Sequence, residues 1–210
     1  MLQSIQDYTV LYIVIVLLIP LCIFAWSKAM RASARRNAGR DAVIASLKEY
    51  HALRREFACP TPEQMQETEP ARLVAGLCAA VQFRLEESDD PDALFAELPE
   101  PAQFAYALGY VREDGSEQLS QFFRRNGSPL TDIAQQAVQL LLPADFADVF
   151  AALHAIHNGT SPNNVADIPA LDTRARQHMQ QPAFWQPAQS YFCENIAAFS
   201  TADTSKTNLN

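Results

Sequence analysis

Residues Tyr8 to Trp26 read YTVLYIVIVLLIPLCIFAW, without one charged side chain. At ~1.5 Å rise per residue, a helix of this length nearly crosses a ~30 Å hydrocarbon core. A helix is the only single-segment solution, because an extended chain would leave its backbone amides unpaired in lipid. Tyr8, Tyr12 and Trp26 stand near the ends of the run, where amphipathic rings favour the interface, and Pro20 is placed to kink the last turns. A cleaved signal peptide would need a basic lead-in, a shorter apolar core and a small-residue cleavage site, and the sequence shows none of these cleanly.

Only Asp7 is charged before the run, whereas Lys28, Arg31, Arg35, Arg36 and Arg40 follow it closely. Positive flanks stay on the cytoplasmic side. The expectation is therefore a single-pass protein of a bacterial-type inner membrane, N-terminus outside and C-terminal domain cytoplasmic. The same five cations suit anionic lipid headgroups, at about 1 kcal/mol each near the surface. Direct nucleic-acid binding by this stretch fits less well, because no aromatic residues interleave for base stacking.

Behind the anchor, apolar residues recur at helical spacing between prolines, and the chain has few glycines, so the fold class is read as all-α. The expected order is an anchor over 1–27, a basic juxtamembrane segment and stalk helix over 28–60, a compact helical bundle over 61–200 and a fraying polar tail over 201–210. In the stalk, Val43, Leu47, Tyr50 and Phe57 fall near one face. That face could pair with a second copy or pack back on its own domain, and the repeat covers barely two heptads, which favours the second. Cys59-Pro-Thr-Pro reads as a linker. Beyond it Leu73, Leu77, Ala80, Val81 and Leu85 mark a helix, and further helices open at Pro, Ser or Asp as far as an aromatic closing stretch, FWQPAQSYFCENIAAF. Cys22, Cys59, Cys78 and Cys193 show no CxxC or knuckle spacing and read as small buried hydrophobes.

The chain has 24 acidic against 16 basic residues, and between Glu56 and Glu117 the ratio is 14 to 3. Glu86, Glu87, Asp89, Asp90 and Asp92 form the densest cluster. A solvated face is the bland reading of such a run, and a docking surface for a basic protein partner is the sharper one. His154 and His157, three apart on an expected helix, could face one way, yet no carboxylate at ligand spacing completes a metal set. No nucleophile elbow, phosphate loop or zinc-protease motif is present, so no catalytic, cofactor or metal residue is assigned.

The stretch from Leu94 to Leu141 resembles the DNA-mimic-protein (DMP nineteen-like) domain family. Leu98-Pro99, Glu113, Gln121, Phe122, Phe123, Asn126 and Gly127 stand where that family has a Leu-Pro lead-in, an acidic residue, a Gln with two aromatics and a turn. ALDTRARQ and the aromatic end extend the likeness to roughly Pro91 through Phe199. Where the family carries Asn-Gly-Gly-Phe, this chain has Ser116, Glu117, Gln118 and Leu119. The resemblance implies an all-helical fold and, from the member that names the family, an acidic surface that occupies a DNA-binding regulator. Phe122 and Phe123 are expected in the core, and Gln121 at a turn, satisfying a backbone group.

The functional expectation is a non-enzymatic, membrane-tethered interaction module that binds or sequesters a protein partner. A small metal-dependent hydrolase, motivated by the histidine pair with Asp145 and Asp148, is the alternative from another class. A structural membrane-assembly protein, dimerising through its stalk, is the third.

Overall fold

The computed structural model describes residues 44–160 and 165–199. The expected anchor, its basic flank and the polar tail lie outside them. No helix among the described residues is long and apolar enough to cross a membrane. The chain divides into two compact units, residues 1–49 and 50–210.

Helix starts follow from local chemistry. A helix, α1, covers residues 44–56. Proline stands at the first or second position of α2 (Pro62–Glu67), α3 (Pro70–Glu86), α4 (Pro91–Glu97) and α5 (Glu100–Gly115), where its missing N–H costs nothing. Side chains take the remaining amides. Thr61 and Gln64 form a reciprocal capping box on α2, and the Glu69 carboxylate accepts from the amides of Ala71 (3.1 Å) and Arg72 (2.8 Å) on α3. Asp90 accepts from the amide of Ala93 at 3.0 Å on α4. The chain continues through α6 (Leu119–Arg125), α7 (Leu130–Leu141), α8 (Ala144–His157), a 3₁₀ turn (Val165–Asp167), α9 (Ile168–Met179), α10 (Gln186–Glu194) and a closing 3₁₀ turn (Ile196–Ala198). The described residues contain no strand, and the second unit is a helical bundle.

The α3–α5 pair is the centre of that bundle. Both helices are buried around much of their circumference, through Leu73, Val74, Leu77 and Val81 on one and Phe104, Ala105, Leu108 and Val111 on the other. Glycine lets them approach. A Cβ on Gly109 would collide with the Cys78 side chain, and one on Gly76 with the ring of Phe57, which follows α1. Leu53 and half-buried Tyr50 of α1, with Phe57 just after it, thus join the core, whereas Leu47, expected on that face, is 52% exposed. Cys78 is buried as expected, but Cys59 is exposed, because the neighbouring Pro60 takes the inward place in the turn.

The rest of the core is aromatic. Phe122, Phe146, Phe150, Phe184 and Phe192 are fully buried; α6 packs on α8 through tilted ring contacts, and Phe184 meets Phe146 edge-on. Buried polar side chains tie short elements to long ones. Asp172 on α9 accepts from the Ser120 amide (2.8 Å) and hydroxyl (2.7 Å), satisfying the start of α6. Gln189 on α10 donates to the carbonyls of Met65 and Thr68, both at 2.8 Å, and so closes the end of α2.

Candidate functional site

Helix α3 ends at Glu86 and α4 begins after Asp90, so one tight corner gathers Glu86, Glu87, Asp89, Asp90 and Asp92, all exposed. The helix dipole treats them differently. Asp90 and Asp92 lie at the N-terminal end of α4, where negative charge is favoured, and Asp90 is itself the cap. Glu86 and Glu87 lie at the C-terminal end of α3, where a carboxylate opposes the dipole by about 0.3–1 kcal/mol. The Glu86 carboxylate accepts from Gln82 Nε2 at 3.0 Å and from Tyr50 Oη at 3.4 Å. None of the acidic residues in this corner appears in an ion pair among the described residues.

Glu86 and Asp92 also line a groove. Two adjoining depressions, about 410 and 570 Å³, share Asp92, Phe95, Ser128 and Pro129. The last turn of α3, α4, Tyr106 of α5 and the α6–α7 turn wall the first; Gln103 and Ile133 extend the second. No lysine or arginine lines either among the described residues. The Phe95 and Tyr106 rings lie 5.3 Å apart, and Gln103 Nε2 donates to the carbonyls of Phe95 (3.1 Å) and Leu98 (3.0 Å), closing the end of α4.

A phenol cluster backs the groove. Tyr106 and Tyr110 pair through their hydroxyls at 3.3 Å, and burial raises both above the ordinary phenol range. Burial first, and the Glu86 carboxylate second, push Tyr50 up to about 12. Burial likewise pushes the Cys78 thiol up to about 12. These groups therefore stay protonated near neutrality, as hydrogen-bonding and packing groups, and Cys78 offers no thiolate.

The histidines of α8 sit elsewhere. The Phe123 ring stacks on both, with centroids 5.7 Å from His154 and 5.4 Å from His157. His154 Nε2 lies 3.3 Å from Asp132 Oδ1 and 2.9 Å from Asn158 Nδ2. His157 Nε2 is buried without a partner among the described residues, and desolvation, then the nearby Arg124, lower its pKa from 6.5. Asp145 and Asp148 lie ~13 Å and ~9 Å earlier along the axis of the same helix as His154, at ~1.5 Å per residue, and both are exposed. The structure does not bring the two acids and two histidines together. Among the described residues no three His, Cys, Asp or Glu side chains could hold a metal ion.

Of the residues that carry the family resemblance, Phe122 and Phe123 are core, with ring centroids 5.1 Å apart. Glu113 is exposed at the end of α5, and its carbonyl accepts from the Ser116 hydroxyl. Gln121 donates to the Gln118 side chain at 3.3 Å rather than to a backbone group. The groove itself escaped sequence reasoning, because its walls come from five separate elements, α3, α4, α5, the α6–α7 turn and α7.

No protein-family model, curated protein or solved structure matches this chain.

Proposed function

We propose that the protein is a non-enzymatic, membrane-tethered interaction module, whose acidic helical bundle faces the cytoplasm and binds or sequesters a protein partner with a basic surface. The observation that carries this reading is the α3–α4 corner. Its carboxylates are exposed and without ion-pair partners among the described residues, and two of them stand where the helix dipole disfavours them. As far as the dipole is concerned, a fold selected for stability alone would favour cations there. The uncharged run from Tyr8 to Trp26 and the cations from Lys28 to Arg40 support the tether and its orientation. A basic partner is also what the likeness to the DNA-mimic-protein family implies.

The test is co-purification from detergent-solubilised membranes with the full-length chain and with Glu86, Glu87, Asp89 and Asp92 changed to Lys. Asp90 is left intact because it caps α4. Loss of partners on reversal supports the reading, and an unchanged set of partners contradicts it. Carbonate extraction of the same membranes checks the anchor, since a spanning segment stays in the pellet.

A further inference from the structure

We propose that the groove beside the acidic corner receives a basic amphipathic helix of the partner, with an apolar side chain over Phe95 and Tyr106 and lysine or arginine against Glu86 and Asp92. This inference rests on the interaction-module reading and names the partner's chemistry. Three observations converge. The floor is apolar and only half-covered: Phe95, Tyr106, Leu130 and Ile133 are each partly exposed there. The lip carries one sign of charge, with Glu86 and Asp92 lining the groove and Glu87 and Asp89 beside them.

The third observation is shape. The two depressions adjoin along α4, bounded by α3 on one side and the start of α7 on the other, so the groove is walled by helices and offers adjoining seats. Helix-in-groove recognition uses successive apolar anchors on one face of the ligand helix, and flanking cations then meet the acidic lip. A purely polar basic segment would leave the rings of Phe95 and Tyr106 wet, and an acidic or neutral amphipathic helix would meet uncompensated carboxylates.

The test uses full-length protein in nonionic detergent and fluorescent peptides followed by anisotropy, with empty micelles subtracted. The probes are a short Leu/Lys amphipathic helix and a Ser/Lys peptide of equal charge. The Leu/Lys helix is expected to bind about tenfold or more tightly than Ser/Lys, a difference of about one decade in Kd. Gln82→Trp and Ala96→Trp plug the two depressions from separate helices, and each should weaken the Leu/Lys helix about tenfold, as should Glu86→Gln with Asp92→Asn. Glu63→Gln with Glu67→Gln removes the same charge from α2 and should change binding less than about twofold.

Wild-type affinity in folded plug variants, alongside weakening by the lip pair, overturns the groove while leaving the acidic-face reading in place. Equal affinity for the two peptides also overturns the groove, and that comparison holds should either plug variant fail to fold. Equal weakening by both acid pairs reduces binding to net charge and overturns both readings. Absence of Leu/Lys binding overturns the inference outright.

Discussion

The acidic corner and the histidine pair set ionisable side chains against the same kind of neighbour, an aromatic ring, and reach opposite states. Around α8 the ring fills the space: Phe123 lies flat on His157 and against His154, and Asp132 and Asn158 take the outer His154 nitrogen. Around α4 the rings line a space and leave it open, with carboxylates at its lip. Proximity of titratable groups along the chain therefore says little about a site; whether packing leaves room for a second molecule says more. The histidines serve packing, and the acids face outward.

That contrast can be broken by mutation, and the largest effect is expected at Phe123. Phe123→Ala empties the stack between α6 and α8 and should cost about 3–5 kcal/mol in denaturant unfolding, the range for a buried phenylalanine. Asp172→Ala unsatisfies the Ser120 amide and hydroxyl in the same half and should cost about 1–3 kcal/mol. Phe95→Ala should cost about 1–2 kcal/mol, because part of its ring already faces the groove. A Phe95 cost equal to that of Phe123 would mean the groove is closed core.

The histidine half should also carry a pH signature. His157 titrates below 6.5 in the fold and near it when unfolded, so the unfolded chain binds its proton first. Stability from this group is complete above about pH 7 and declines as pH falls through 6.5 toward the lowered folded value. Melting temperatures between about pH 7.5 and about pH 5 should fall less steeply in His157→Gln than in the native chain. The Arg124 and His154 charges reinforce the shift and Asp172 opposes it.

The helical periods were legible because apolar spacing and proline punctuation agree, as at Leu73, Leu77, Val81 and Leu85 on α3 and at the proline that opens α4. Helix α2 went unread just after the Cys59-Pro-Thr-Pro linker, although Thr61-Pro62 with Gln64 spells a capping box and buries Met65. That signal was readable. The glycine seats were not readable, because Gly76 and Gly109 declare their role only against Phe57 and Cys78. Nor were Gln103 and Gln189, whose amides close the ends of other helices, the preceding one for Gln103 and a distant one for Gln189. The acidic cluster was plain in the sequence, but the split between a cap at Asp90 and dipole-opposed Glu86 and Glu87 depends on where α3 stops and α4 starts.

The smallest expected change in stability bears most directly on the central claim, that the carboxylates ending α3 are surplus to the fold and available to a partner. The measurement is the unfolding free energy of the full-length chain with Glu86→Gln and Glu87→Gln, which keep the hydrogen-bond acceptors and remove the charge. The account predicts no loss, or a gain of up to about 1 kcal/mol as the dipole conflict is relieved. A loss of about 2 kcal/mol or more would show that these acids hold the bundle together, and would contradict it.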